Sequence, residues 1–171
     1  SGAAPSGSGA QDFFLRGNEY AARSCSRTNV EAALDLYRRA VTLDSTFAPA
    51  WARLGRAHAA MHWFYHDRSP GRLDSARAAV DRAVELAPGD AEASIARGHL
   101  YYWGLGDYQR ATEEFDAARR RHPGNGEPLT ALGYVERRQG RWDSALARFQ
   151  EAVRHDPRSA LRALDLADTR M

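Results

Sequence analysis

The sequence predicts an all-α fold in which antiparallel helix pairs stack into a solenoid. Three features recur with a regular order along the chain: a glycine, a pair of alanines seven residues apart, and a bulky residue four positions after the first alanine. The alanine pairs are Ala33/Ala40, Ala76/Ala83, Ala111/Ala118 and Ala145/Ala152. The preceding glycines are Gly17, Gly55, Gly98 and Gly133, and the bulky residues are Tyr37, Val80, Phe115 and Phe149.

This order of residue types suits two helices that pack closely. Small residues at fixed points let antiparallel helices approach each other, and the bulky residue fills the space between them. Twelve residues after the first alanine stands Pro88, Pro123 or Pro157, with Ser45 in the first copy, and proline ends a helix because it is excluded from the helix interior. One pair cannot bury its apolar face alone, so the copies must stack.

The elements follow from this register. Helices are predicted near 10–24, 29–43, 47–66, 72–86, 91–104, 108–121, 127–139, 142–155 and 159–170, with Asp90, Asn125 and Ser159 placed to cap three of them. Residues 1–9 are predicted to be a flexible linker or a cloning remnant. The repeats then span about 10–46, 47–89, 90–124 and 125–158, and residues 159–170 form a capping or half-repeat helix, within one domain over 10–171.

The pattern resembles the tetratricopeptide repeat, in which W-x2-L-G-x2-Y is followed by A-x3-F, then A and P. The fourth copy, LTALGYVERRQGRWDSALARFQEAVRHDP, carries most of these positions. The resemblance implies a right-handed superhelical array and a non-catalytic scaffold that binds proteins or peptides. The phrases YYWGLGDYQRA and GYVERRQGRWDSAL are similar to repeats of bacterial multidomain signalling proteins, which implies a larger regulatory parent protein.

Composition excludes several other classes of function. The net charge of +2 is too small to favour nucleic-acid binding, and Cys25 as the only cysteine excludes an internal disulfide or a cysteine-based zinc cluster. No apolar run approaches the ~20 residues of a membrane span. No secretory signal is visible either, so a cytoplasmic location without membrane contact is expected. Motifs such as G-x-S-x-G, the P-loop and H-E-x-x-H are missing, which predicts neither enzyme activity nor a cofactor.

The inner wall of the solenoid is the predicted binding groove. Residues next to each repeat glycine, or three to four positions away, are expected to face it. They are Phe14, Asn18, Arg53, Arg56, His99, Tyr102, Tyr134 and Arg137. Guanidiniums can pair with carboxylates bidentately and aromatic rings give flat contact area, so an acidic and apolar peptide is the expected ligand. The alternative is an ordinary solvated wall without a dedicated ligand.

The second repeat contains an insertion. The interval from repeat glycine to repeat alanine is 21 residues from Gly55 to Ala76, against 12 in the fourth copy, 13 in the third and 16 in the first. We expect the insertion to lengthen the helix by about two turns and to return through Ser69-Pro70-Gly71. Met61, Trp63, Phe64 and Tyr65 are expected to pack near Tyr101 and Trp103. The alternative is an exposed tip that meets a partner or a second copy of the chain, making a homo-oligomer; the C-terminal helix is another surface for self-association.

Three histidines in the same stretch raise the question of a metal site. His58, His62 and His66 are spaced by four and share a face if the helix continues. A pair at this spacing can bind a transition metal, but three such residues span about 12 Å along a helix and cannot all reach one ion. A metal-responsive helix is therefore a minor alternative.

Overall fold

The structure is a computed structural model that describes residues 6–157 and contains eight α-helices and one π-helical segment over that range. The first two pairs are α1 (Ser6–Arg23) with α2 (Arg27–Leu43) and α3 (Ala48–Trp63) with α4 (Pro70–Leu86). In the third pair α5 (Ala91–His99) continues into a π-helical segment (Leu100–Leu105) and packs on α6 (Tyr108–Arg121). The fourth pair is α7 (Glu127–Arg138) with α8 (Trp142–His155).

The predicted all-α array of helix pairs is confirmed. Each helix packs on its partner within a pair, and α3, α5 and α7 join successive pairs. We call α1, α3, α5 with its π-helical segment, and α7 the A helices, and their partners the B helices. None of the helices between residues 6 and 157 has the length and apolar character that a membrane span requires. Residues 1–5 and the predicted helix over 159–170 lie outside the described residues.

Each repeat glycine lies against the bulky residue of its own B helix. The contact is so close that a β-carbon would clash. A β-carbon would come within 2.6 Å of Tyr37 at Gly17, 2.6 Å of Val80 at Gly55, 2.6 Å of Phe115 at Gly98 and 2.5 Å of Phe149 at Gly133. All four bulky side chains are fully buried. The recurring glycine and bulky residue are therefore the two halves of one packing contact.

Several boundaries differ from the predicted ones. Helix α1 begins at Ser6, so residues 6–9 of the predicted linker are helical. Helix α4 begins at Pro70, because the fixed φ of proline suits the first turn of a helix. Asp90 and Asn125 act as predicted caps: their side chains accept the backbone N–H groups of Glu92 and Glu127, each at 2.9 Å.

The insertion in the second repeat lengthens α3 by less than one turn and forms a loop beyond it, so the predicted two extra turns are wrong. Helix α3 continues eight residues past Gly55, whereas α7 continues five residues past Gly133. Helix α3 ends at Trp63, and Tyr65 has a positive φ of 61° that an α-helix does not allow. Asp67 then accepts the backbone N–H of Ser69 at 2.8 Å and pairs with the guanidinium of Arg72. These contacts fold the inserted residues back towards the start of α4.

The segment from the repeat glycine to the glycine of the following turn is one residue longer in the third repeat than in the fourth. Eight positions separate Gly98 from Gly106, whereas seven separate Gly133 from Gly140. The predicted α-helix over 91–104 ends at His99, and the extra residue is accommodated by the π-helical segment. A π turn widens the hydrogen-bonded ring by one residue, so the side chains that follow it point in directions that a regular α-helix would not give.

Candidate functional site

Four charged side chains meet on the wall formed by the A helices. Arg53 Nε lies 3.1 Å from Glu92 Oε2, and Arg53 Nη2 lies 3.5 Å from Glu127 Oε2. Arg56 forms an ion pair with Glu127 as well. These side chains are between 22% and 32% exposed, so they are recessed but reachable from solvent. We call Arg53, Arg56, Glu92 and Glu127 the ion-paired centre.

The charges of the ion-paired centre stabilise each other. Burial opposes the ionisation of Glu127, but the charges of Arg56 and Arg53 outweigh it and hold the pKa of Glu127 below its usual range. Burial also acts against the charge of Arg53, and the carboxylates of Glu127 and Glu92 keep its pKa above the usual value. Arg53 and Arg56 were predicted to receive ligand carboxylates. Both already form ion pairs with carboxylates of the chain itself, so the assumption that their charges are unpaired is wrong.

The carboxylates of the ion-paired centre were missed by the sequence reasoning. Glu92 and Glu127 each lie six residues before a repeat glycine, Gly98 and Gly133 respectively. Two glutamates in the same register of successive repeats were the signal that could have found them. The bond between Arg56 and Glu127 joins the second repeat to the fourth past the third, whereas repeats in a solenoid normally contact only their neighbours.

Two of the predicted groove residues belong to the packed interior. His99 and Tyr102 are each 4% exposed. The Nδ1–H of His99 donates to the carbonyl of Ile95 at 2.9 Å, and the His99 ring lies 4.1 Å from the ring of Trp103. Burial, together with the charge of Arg56, lowers the pKa of His99 well below its ordinary value. Neither side chain offers a ligand much surface, which corrects the prediction for both.

The first repeat uses its predicted groove residues for internal contacts. The Phe14 ring packs 5.1 Å from Phe47 and 6.1 Å from Tyr37. Asn18 Oδ1 accepts the hydroxyl of Tyr37 at 2.9 Å. Burial raises the pKa of Tyr37 to about 12, so this hydroxyl remains a donor. Phe14 and Asn18 are both half-buried, and part of each side chain still faces solvent.

A second group of arginines lies where the A helices end. Arg137 Cζ is 5.1 Å from the centre of the Tyr134 ring, and Arg138 Cζ is 4.8 Å from the centre of the Trp63 ring. The Trp63 ring in turn lies 5.1 Å from Tyr102. Arg137 is half-buried and Arg138 is exposed. We call Trp63, Tyr102, Tyr134, Arg137 and Arg138 the stacked rim; sequence reasoning had placed Tyr134 and Arg137 in the groove but missed Arg138.

The aromatic tip of the second repeat is mostly packed. Met61 is 2% exposed, and the rings of Trp63 and Phe64 lie 5.1 Å from Tyr102 and 5.9 Å from Trp103. The expected packing on the next A helix is present, with Tyr102 in place of Tyr101. Tyr65 is 77% exposed and has Arg68 over its ring. Three of the four residues of the alternative exposed apolar tip, Met61, Trp63 and Phe64, are therefore buried or half-buried, and only Tyr65 is available for self-association.

The three histidines of the insertion point to three different partners. His58 Nδ1 accepts from Arg72 at 2.9 Å, His62 Nε2 accepts from Arg68 at 3.2 Å, and His66 Nε2 donates to the carbonyl of Cys25 at 2.8 Å. His66 lies beyond the end of α3, so the three do not share a helix face. Within residues 6–157 no group of three ligating side chains could hold a metal ion. The geometry of these residues gives the metal-responsive alternative no support.

Comparison with known proteins agrees with the geometry of the array. The family model described as tetratricopeptide repeat matches residues 68–126, 99–160 and 130–169. These matches together span residues 68–169, which is more than half of the chain. A search of curated proteins found no match.

Three solved structures with a similar fold come from different proteins. A thermophilic TPR protein of Thermus thermophilus is 20% identical, with a TM-score of 0.64, over 94% of this chain and 97% of that one. Pseudomonas aeruginosa PilF is 17% identical, with a TM-score of 0.62, over 95% and 68%. MamA is 23% identical, with a TM-score of 0.52, over 89% and 81%. Identities this low show the shared fold alone.

Proposed function

The chain belongs to the tetratricopeptide repeat family, and on that basis we propose that it is a non-catalytic module that binds a protein or peptide on the concave face of its A helices. The observation that carries the proposal is the ion-paired centre. Its four charged side chains are fixed by each other yet remain 22% to 32% exposed. Polar groups held in place before binding lose little freedom when a ligand arrives.

The ion-paired centre restricts what the ligand can be. Its two positive and two negative charges sum to zero, so a ligand carboxylate reaches Arg56 only by displacing Glu127. A peptide that carries acidic and apolar side chains fits the wall if its carboxylates meet arginines elsewhere. We place the module in a larger bacterial signalling or regulatory protein, and the support for this placement is the resemblance of residues 101–111 and 133–146 to repeats of such proteins.

The test is affinity capture from a lysate of the native organism, with the whole chain as bait and mass spectrometry as readout. The groove variant is the charge swap Arg56→Glu with Glu127→Arg, which keeps an ion pair between α3 and α7 with reversed polarity but removes the pairing of Arg53 with residue 127. The matched control is the swap Arg82→Glu with Glu85→Arg, an exposed pair on α4 that is 3.2 Å apart. Circular dichroism must show equal helical content in all three baits.

We expect a partner that the wild-type chain and the α4 swap recover equally. Its yield should fall at least about tenfold with the groove swap, because reversing a partly desolvated charge costs more than 1.4 kcal/mol of binding. Equal recovery of the same proteins by all three baits would show that the concave face is not the binding site.

A further inference from the structure

We propose that the stacked rim is the docking site for an acidic segment of the partner protein, with the guanidiniums of Arg137 and Arg138 receiving its carboxylates. This inference rests on the proposed function, because it names the chemistry of the partner and the part of the concave face that meets it.

The orientation of Arg138 is the first observation. Its guanidinium reaches from α7 to the ring of Trp63 at the end of α3, with 4.8 Å between Cζ and the ring centre. Arg137 lies over Tyr134 in the same way, at 5.1 Å. A guanidinium that contacts a ring through its face keeps N–H donors at its edge. Arg138 uses one of its donors on the Tyr102 hydroxyl, and the remaining N–H groups of the two guanidiniums are the groups that would receive a ligand carboxylate.

The charge state of these arginines is the second observation. In the part of the chain that the structure describes, Arg137 and Arg138 form no ion pair with a carboxylate. The arginines of the ion-paired centre contact Glu92 and Glu127. At the ion-paired centre, an incoming carboxylate would have to break existing ion pairs. At the stacked rim it meets two positive charges and displaces no carboxylate of the chain.

A rigid base beneath the arginines is the third observation. Tyr102 is 4% exposed and its ring lies 5.1 Å from Trp63 and 5.8 Å from Tyr108. Burial raises the pKa of Tyr102, and the hydrogen bond and charge of Arg138 act in the opposite direction, which places Arg138 next to this phenol. Tyr102 lies within the π-helical segment, and π turns inside α-helices occur frequently at functional sites.

An acidic peptide fits this surface better than a nucleic acid does. Single-stranded nucleic acid binds by stacking bases on open aromatic faces. Here Trp63 is covered by Arg138 and Tyr102, and Tyr134 is packed against Phe149 and Arg137. The edges of two guanidiniums remain, and these suit carboxylates.

The test is fluorescence anisotropy with a fluorescein-labelled hexaglutamate peptide at low salt, and with labelled hexaglutamine as a neutral probe. The variant is Arg138→Gln. Its matched control is Arg77→Gln, which removes the same charge from an exposed position on α4. A third variant, Arg138→Lys, keeps the charge but loses the planar fork. Circular dichroism checks the fold of each variant.

We expect the wild-type chain to bind hexaglutamate and not hexaglutamine. Arg138→Gln should raise Kd about tenfold, the usual effect of losing one hydrogen bond between charged groups, while Arg77→Gln changes Kd less than about twofold. Arg138→Lys should fall between them. Equal weakening by Arg138→Gln and Arg77→Gln would overturn the proposal, as would the absence of hexaglutamate binding at millimolar protein.

Two further arms separate the related ideas. If labelled single-stranded oligouridine binds more tightly than hexaglutamate and depends on Arg138, the surface binds nucleic acid and the proposal is overturned. If the lysate partner is lost with the groove swap but retained by Arg138→Gln, the proposed function stands and the docking site at the stacked rim fails. Loss of that partner with Arg138→Gln supports both.

Discussion

The arginines of the ion-paired centre and those of the stacked rim are fixed by different kinds of contact. At the ion-paired centre, Arg53 and Arg56 are neutralised by carboxylates from the next two A helices. At the stacked rim, Arg137 and Arg138 are fixed by aromatic rings that leave their charge in place. The difference shows that facing the groove does not make an arginine available to a ligand. The centre therefore offers a ligand a fixed and neutral polar surface, whereas the rim offers positive charge.

The largest expected effect is on stability, from Glu127→Gln. This change leaves Arg53 and Arg56 without their shared carboxylate in a recessed position. Breaking a fully buried pair costs about 3–5 kcal/mol, and we expect about 1–3 kcal/mol here because the side chains are partly solvated. Urea unfolding measures the difference. Arg138→Gln, at the exposed rim, should change the free energy of unfolding by no more than about 0.5 kcal/mol. Equal losses in both variants would remove the distinction between centre and rim.

Acid should reduce the same difference. The folded-state pKa of Glu127 lies below the unfolded value of about 4.3. The stabilisation from its charge is therefore complete above about pH 4.3 and is lost as the pH falls towards the folded pKa. Wild type and Glu127→Gln should differ by a constant amount from pH 5 to 7, and the difference should decrease steadily as the pH falls from about 4.3 to 3 in urea titrations. The gap between wild type and Arg138→Gln should not change; a parallel convergence there would contradict the assignment.

A third arrangement, at Arg72, gives an effect that is confined to acidic pH. Arg72 pairs with Asp67 and also donates to His58. Burial and the charge of Arg72 lower the pKa of His58 to about 4, below the unfolded value of about 6.5. Stability linked to neutral His58 is present above about pH 6.5 and is lost as the pH falls towards 4. His58→Asn keeps an acceptor for Arg72 and cannot titrate. The slope of unfolding free energy against pH at pH 5.5 should decrease by up to about 1.4 kcal/mol per unit; an unchanged slope would show that His58 is protonated in the fold.

The packing of the repeats was predictable because its signal is local and periodic. The spacing of Gly133 and Phe149 within the fourth copy already predicts that the two residues pack together. In the structure they are so close that a β-carbon at Gly133 would lie 2.5 Å from the Phe149 ring. The partner of Arg56 was not predictable in this way, since Glu127 lies 71 residues away in a repeat that is not adjacent. Only its register before Gly133, shared with Glu92, indicated that it faces the same wall.

The errors at His99, Tyr102 and α3 have local causes. The prediction for Tyr102 assumed a regular α-helix, in which each residue turns by about 100°, and the π-helical segment changes that register. His99 precedes this segment, and its ring is covered by Trp103 and Phe115. The end of α3 depends on contacts that periodicity does not encode, such as the bond from His66 to the backbone of Cys25.

The bond between Arg56 and Glu127 limits how this array can be rebuilt. Repeat proteins of this kind are often treated as modules whose units can be duplicated, removed or exchanged. Here a copy inserted between the second and fourth repeats would move the guanidinium and its carboxylate apart by the thickness of a helix pair. A duplication between the second and fourth repeats would therefore lose this ion pair, whereas a duplication outside them would keep it.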